Sequence, residues 1–309
     1  MAKHIIEPER STLHGHFARD LPPAITIDSG DTVQFRTLDA GWAIERPEDP
    51  KAVKRFEPRE KDKDGGHALC GPVAIRNAEP GMALEIQIEH IRLGTWGWAG
   101  GGWDGEFNHK LGFEKGCKPC SHFWDLNPDT LIGTNQHGHT IQLRPFMGVM
   151  GMPPNEPGIL GTGPPRFCGG NLDCKELIAG TTLYLPIAVP NGLFSVGDGH
   201  AVQGDGEVSG VAIECPMDEV VLTFHLHDDM PLSNPRARTD ESWLTFGLHE
   251  DLNEATILAL KDMLDLMEQH HDLNRADAVA LASLLVDLRI TQIVNGTRGV
   301  HAVLPHDVL

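Results

Sequence analysis

Positive charge is what this 309-residue chain has least of: 25 Lys and Arg stand against 44 Asp and Glu, a formal net charge of −19. Nucleic acid and anionic membrane are poor partners for it, because both require positive potential. No run of about 18 apolar residues is present, so no transmembrane helix is expected. The opening stretch MAKHIIEPERSTLHGHF has no apolar signal region, and a cytoplasmic location is expected. The six cysteines are dispersed, unlike a disulfide framework. Cys117 and Cys120 make one CxxC in FEKGCKPCSHF, but a structural zinc site needs a second close pair, so free loop thiols are expected. A Gly-x-Ser-x-Gly elbow, a Ser-Ser-Lys amidase pattern and a phosphate loop are also missing. These gaps point away from a seryl intermediate and toward metal-activated water.

What is present is punctuation. Glycine (34) and proline (22) are scattered between short apolar segments up to about residue 250, as in a chain of many short strands. In ALEIQIEHI, Leu84, Ile86 and Ile88 alternate with Glu85, Gln87 and Glu89, the period of a half-buried strand. DTVQFRTLDA, TTLYLPIAVP, GVAIECP and EVVLTFHLH are further candidates, and Pro186 in the second suggests an edge or irregular strand. Residues 46–64 are highly charged without apolar period, and read as an exposed insertion or mobile loop. Residues 94–106, GTWGWAGGGWDGE, read as a glycine-rich loop whose tryptophans form either a pocket wall or lid, or merely anchor a surface loop. Beyond residue 250 the period becomes helical. Leu252, Ala255, Leu258 or Ala259, Met263, Leu266 and Met267 share a face, and NRADAVALASLLVDLRITQIV predicts a second helix with Asn274 as its cap. The expected fold is mainly β, α+β overall: a sandwich- or barrel-like core over 1–250, with a helical pair and final strand over 251–309 packed on it as one integrated unit.

SVGDGHAVQGDGEVSG, residues 195–210, holds Asp198, His200, Asp205 and Glu207 among glycines. On an extended chain Asp198 and His200 face the same side, and Asp205 and Glu207 repeat the relation. The glycines leave room for a ligand, although two Asp-Gly turns would explain the same pattern. GGNLD offers Asn171 and Asp173 as oxygen donors, or a capped turn. His137/His139 and His225/His227 form two His-x-His pairs; on a strand each would share one face, either as metal ligands or as a polar outer surface.

Several segments, in order, resemble the acetamidase/formamidase family. They are LDA (38–40), GPVAIRNAEPGMALEIQIEHI (71–91), RPFMGVMGMPP (144–154), GGNLD (169–173), LPIAVPNGLFSVGDGHAVQGDGEVSGVAIE (185–214) and AVALASLLVDLRITQIVNGTRGVHAVLP (278–305). The resemblance implies a largely β fold with appended helices, a divalent metal, a homodimer or higher homo-oligomer, and hydrolysis of small amides. With it, Asp173, Asp198 and His200 become expected ligands of a zinc-like ion, joined by His67 or Asp39, with calcium as an additional structural ion. Glu207 becomes the expected general base beside Asp198, and Gly170, Asn171, Gln203 and Asp205 the expected substrate contacts. The charged 46–64 segment, the tryptophan loop, the CxxC and Cys168 before Gly-Gly-Asn depart from the family pattern. Two rivals stand beside this reading. One is a His-x-His metal lyase or oxygenase of β-barrel type. The other is a calcium-stabilised binding protein without activity, which His200 disfavours because calcium takes oxygen ligands.

Overall fold

The computed structural model describes residues 1–47 and 52–309. Alternating apolar residues make most of the elements strands, arranged in three sheets. The largest has nine strands, in the order β1 (Lys3–Ile6), β4 (Thr32–Thr37), β15 (Met217–His227), β6 (Ala83–Leu93), β13 (Thr182–Pro186), β16 (Arg236–Arg238), β17 (Ser242–His249), β19 (Arg298–Pro305) and β18 (Asp287–Gln292). A six-stranded sheet runs β12 (Gly169–Asn171), β11 (Phe146–Gly151), β14 (Phe194–His200), β5 (Leu69–Ile75) and β2 (Leu13–His14), with β3 (Ile25–Ile27) also on β5. Four strands, β10 (Thr140–Gln142), β9 (Ile132–Asn135), β8 (Cys120–Asn127) and β7 (Trp96–Gly101), form the third. The mainly β expectation holds.

The core joins the two larger sheets. Leu84, Ile86 and Ile88 of β6, Val33 and Phe35 of β4, and Phe224 of β15 are all buried in one cluster with Phe194 and Val196 of β14. Burial of this kind contributes about 25 cal/mol per Å² of apolar surface. Phe194 and Phe224 meet edge to face at 5.1 Å, tying the sheets together.

Several local readings change. GVAIECP is not a strand; only isolated bridges from Glu214 to Trp98 and His200 form there. Pro186 does not mark an edge, since β13 lies between β6 and β16; it ends the strand, where its missing N–H costs least. The tryptophan loop is largely strand β7: Trp96 and Trp98, two apart, carry a strand period that the intervening glycines hide. The helix α1 (Glu106–Lys110) follows it. The helix α2 (Leu252–His271) has its start capped by Asp251, whose carboxylate accepts from Asn253 and Glu254 N–H. The helix α3 (Arg275–Leu285) is capped by Asn274 as expected, but stops at Leu285 instead of continuing through ITQIV. The β-branched residues that follow go into β18, where branching suits a pleated surface. Of the charged 46–64 segment, residues 48–51 lie outside the described residues. Residues 52–64 are mostly exposed, as expected, but tied to the body: Ala43 bridges Arg55, and the buried Asp64 carboxylate accepts from Arg10 at 2.5 Å. No helix is long and apolar enough to cross a membrane.

The helix α2 sits directly on β17 because Gly247 has no side chain. A β-carbon there would lie 1.9 Å from the Ala255 carbonyl oxygen and 2.5 Å from the Ala259 nitrogen, while Thr245 Oγ1 donates to the Ala259 carbonyl at 2.7 Å. Gly247→Ala is therefore expected to cost about 3 kcal/mol in urea unfolding, since backbone must move to admit the methyl. Wild-type stability in that variant would show that the helix is not seated this closely.

At the other end of the sheet Asp31 accepts N–H groups of Ala2 at 2.6 Å and Asp28 at 3.1 Å, fastening β1. The Ala2 N–H, with smaller help from Asp28 and His4, outweighs burial and lowers the Asp31 pKa to about 2. A depressed folded-state pKa stabilises above the unfolded value of 3.8 and loses that effect as pH falls through about 2. Asp31→Asn should thus cost about 1–2 kcal/mol at neutral pH, after allowance for solvent screening. The gap from wild type should close between about pH 4 and 2 in pH-dependent unfolding; a gap independent of pH would refute the assignment.

Candidate active site

The site grows from β11. It lies between β12 and β14, so the GGNLD and GDGH segments reach its two flanks. Register sets Phe146 opposite His200 and Val149 opposite both Gly197 and Asn171. Between them Gly148 leaves the space into which the flanking side chains turn. A β-carbon there would meet Asp198 Oδ2 at 2.6 Å, His200 Cε1 at 2.8 Å and Asp173 Oδ1 at 2.9 Å. Asp173, Asp198 and Glu207 hold left-handed backbone, with φ of 50°, 61° and 46°. Such conformations are costly without glycine and persist where surrounding structure forces them, often at functional sites. Phe146 lies edge-on to the His200 ring at 5.0 Å and fixes its plane.

Four buried acids, Asp173, Asp198, Glu207 and Glu214, surround this one imidazole. Ligand atoms of Asp173, Asp198 and His200 lie within 4.8 Å of one another, as do those of His200, Glu207 and Glu214. His200 Nε2 is 3.4 Å from Asp198 Oδ1 and 3.3 Å from Glu214 Oε2. Burial pushes Asp173 well above the usual carboxylate range, and the Glu207 charge adds to it. Burial, with Glu214 and Asp198 nearby, lifts Glu207 to about 7; burial and Asp198 do the same for Glu214. Asp198 goes the other way: burial opposes its charge, but His67 and His200 outweigh it and hold the carboxyl low. Burial alone would lower His200, yet Glu214 and Asp198 raise it well above an ordinary histidine. Ionised together, the four acids would carry more negative charge than the one imidazolium can neutralise.

The cluster opens on a cavity of about 720 Å³ lined by Asn171, Asp198, Glu207 and Glu214, with His67 and Trp98 on its walls. Asp173, Asp198, His200 and Glu207 therefore come together as the sequence suggested, and Asn171 joins the lining. His67 lines the cavity, its Nδ1 2.9 Å from Thr162 Oγ1. Other expected contributors are used elsewhere. Asp39 accepts from Trp98 Nε1 at 2.9 Å and from Ala43 N–H, so its oxygens position a wall rather than join the cluster. Asp205 pairs with Lys175 at 2.9 Å, because the second Asp-Gly turn carries it away from the cavity. Gln203 donates to the Asp173 carbonyl at 2.8 Å and supports that ligand segment from behind. Gly170 packs near Phe17 and Pro165, outside the cavity lining. The His-x-His pairs do not converge on any group of three metal-ligating side chains among the described residues. His137 and His139 are exposed between β9 and β10, and His227 is tied to Glu85 at 2.6 Å.

Glu214 and Asn295 were not foreseen, whereas Trp98 takes the pocket-wall alternative given for the tryptophan segment. Glu214 sits in GVAIECP, where apolar alternation made it look like the polar face of a strand. Asn295 comes from the loop between β18 and β19 and donates to Asp173 Oδ2 at 2.8 Å and Glu207 Oε2 at 3.4 Å. No local signal marks it; only the fold carries residue 295 to residue 173.

The donor set fits a divalent cation. Asp173 Oδ1, Glu214 Oε2 and the His200 ring nitrogens are buried without a hydrogen-bond partner, and unpaired buried groups of this kind are costly. Asp173, Asp198 and His200 form one candidate ligand set, and Glu207 and Glu214 with His200 the other. Gly148→Ala should lower affinity for a divalent metal about ten- to hundredfold, read by calorimetry and metal content, because its methyl would displace carboxylate oxygens. Unchanged uptake would place the metal elsewhere.

A family model described as the Acetamidase/Formamidase family matches residues 2–159 and 157–309. A formamidase of Methylophilus methylotrophus is 25% identical over 254 residues, which is 64% of this chain and 60% of that protein's length. Among solved structures, an acetamidase of Bacillus halodurans superposes with a TM-score of 0.83 at 26% identity, covering 97% of both chains. A Thermoanaerobacter tengcongensis protein described as a predicted acetamidase/formamidase gives a TM-score of 0.84 at 25% identity, covering 99% of this chain and 96% of that one. With almost every residue inside the family match, the segments that build the cluster among them, the chain belongs to the acetamidase/formamidase family.

Proposed function

We propose that this protein hydrolyses small amides such as formamide and acetamide to ammonia and a carboxylate, with the help of a divalent cation. The observation that carries the reading is the convergence of Asp173, Asp198, His200 and Glu214 in one buried cluster that reaches the cavity through Asp198 and Glu214, in a chain of this family. Zinc is the proposed ion, although a mixed carboxylate and imidazole set also suits manganese or iron. Held there, it would polarise the amide carbonyl and make a water more acidic. Among the described residues no further group of three His, Cys, Asp or Glu ligand atoms lies apart from this cluster.

The protein's own groups divide the remaining work. Glu207 lines the cavity with one oxygen steadied by Asn295, a position suited to taking a proton from the attacking water. The same carboxyl would hand that proton to the departing ammonia. Asn171 Oδ1 is buried without a partner and is suited to accept an N–H of the substrate amide. Trp98, held by Asp39, closes one wall. Six free cysteines fit a reducing compartment, so residence in the cytoplasm is part of the proposal. A homodimer or higher homo-oligomer is also part of it, and light scattering would decide that point.

Ammonia release from formamide, acetamide and longer amides is expected from the metal-loaded protein and should vanish with a chelator. Glu207→Gln is expected to lower kcat about 10²- to 10⁴-fold while metal content is retained. A full rate in that variant would remove Glu207 from the base role, and ammonia release indifferent to chelation would remove the metal.

A further inference from the structure

The cavity is larger than the amides named above require. Formamide and acetamide fill on the order of 100 Å³, scaling from about 30 Å³ for one water, against a cavity of about 720 Å³. Its lining is also divided by charge. Asp198, Glu207 and Glu214 come from the acid cluster, whereas the charged segment that departs from the family pattern supplies three cations, Arg55, Arg59 and Lys63, and one acid, Asp62. Among the described residues no ion pair joins the two sets, so the acids do not neutralise these cations.

Arg59 stands out. Its guanidinium lies over the Trp42 ring at 4.8 Å, and one terminal nitrogen donates to the Asp64 backbone carbonyl. Its Nε is buried without a hydrogen-bond partner. The nearby Asp64 carboxylate is already taken by Arg10 at 2.5 Å. Trp42 is buried and its Nε1 donates to the Gly66 carbonyl at 2.8 Å, so the stacking platform is fixed. Arg55 donates Nε to the Gly41 carbonyl at 3.0 Å and likewise has no carboxylate partner among the described residues. Lys63 is neutralised in part by Glu60 at 2.8 Å. In a chain of net charge −19, two arginines without acid partners line the cavity that holds the acid cluster.

We infer that this cationic lining binds the carboxylate of the substrate, and that the preferred substrates are amides carrying a carboxylate, the half-amides of short dicarboxylic acids. This inference rests on the hydrolase reading for its chemistry. The amide end would meet the acid cluster and the carboxylate end would meet Arg59, with Arg55 beside it. A planar guanidinium stacked on an indole is preorganised for a carboxylate, and binding there needs little further ordering. The net negative charge of the chain would otherwise repel such a ligand, so a local positive lining is what its recognition requires.

The metal-loaded full-length chain is assayed for ammonia release from malonamate, succinamate and glutaramate, and from neutral amides of matching length. One of the charged amides should show a KM at least about tenfold below its neutral counterpart. Arg59→Met should erase that difference, the change carried by KM rather than kcat, and Arg59→Lys should restore part of it. Equal KM values for charged and neutral amides, or an Arg59→Met effect of the same size on both series, overturn the inference. If no amide is turned over, the hydrolase reading fails by itself. Calorimetry with succinate then decides the anion site: binding to wild type that Arg59→Met abolishes supports it, and binding unaffected by the substitution overturns it.

Discussion

Four carboxylates buried around one imidazole form the constraint on which the rest of this structure depends. Charge of one sign taken out of water must be met by protons, by hydrogen bonds or by a cation, and the cluster uses protons, hydrogen bonds and the His200 imidazolium. Burial holds Asp173, Glu207 and Glu214 toward their protonated forms, while Asn295 and Gln203 brace the segment around Asp173. The backbone bears the remaining cost in three left-handed acidic residues. A framework able to impose those conformations has to be stiff. The two larger sheets, locked through Phe194 and Phe224, supply that stiffness.

The six-stranded sheet shows how little side chain the arrangement tolerates. β11 separates the two ligand segments by one strand width and gives up its own side chain at residue 148 so that they can meet. A similar economy recurs far from the site at Gly247, where helix backbone rests on strand backbone. In both places the missing methyl group sets an approach that no repacking of larger residues could reproduce.

Much of this was legible in the residues and some was not. Strict alternation in β6 and β4 and the heptad-like face of α2 made those elements plain. Asp198, His200 and Asp173 stood out through the ordered resemblance to the family, because two Asp-Gly turns and a capped turn explain the local pattern equally well. Asp205 shares the same local signature as Asp198, yet a turn sends it to Lys175, and nothing in the immediate sequence distinguishes the two. Asp39 lies in a stretch resembling the family but serves Trp98. Glu214 was hidden by apolar neighbours in a segment that looked like a strand and is not one. Asn295 and Arg59 were hidden more deeply, since their importance arises from contacts across 122 and 17 positions, to Asp173 and Trp42, that only the fold creates. The end of α3 was missed for a different reason: Ile290 and Thr291 continue an apolar pattern compatible with a helix, but pairing with β19 claims them for a strand.

The Asn295 contact also has a consequence in time. During synthesis the segments bearing Asp173, Asp198 and Glu207 leave the ribosome before the β18–β19 hairpin does. Until that hairpin docks, the acids lack the amide that bridges Asp173 and Glu207. The late hairpin acts as the last piece of a clasp, so the emerging chain carries the acids unbridged and joins Asp173 to Glu207 only near the end.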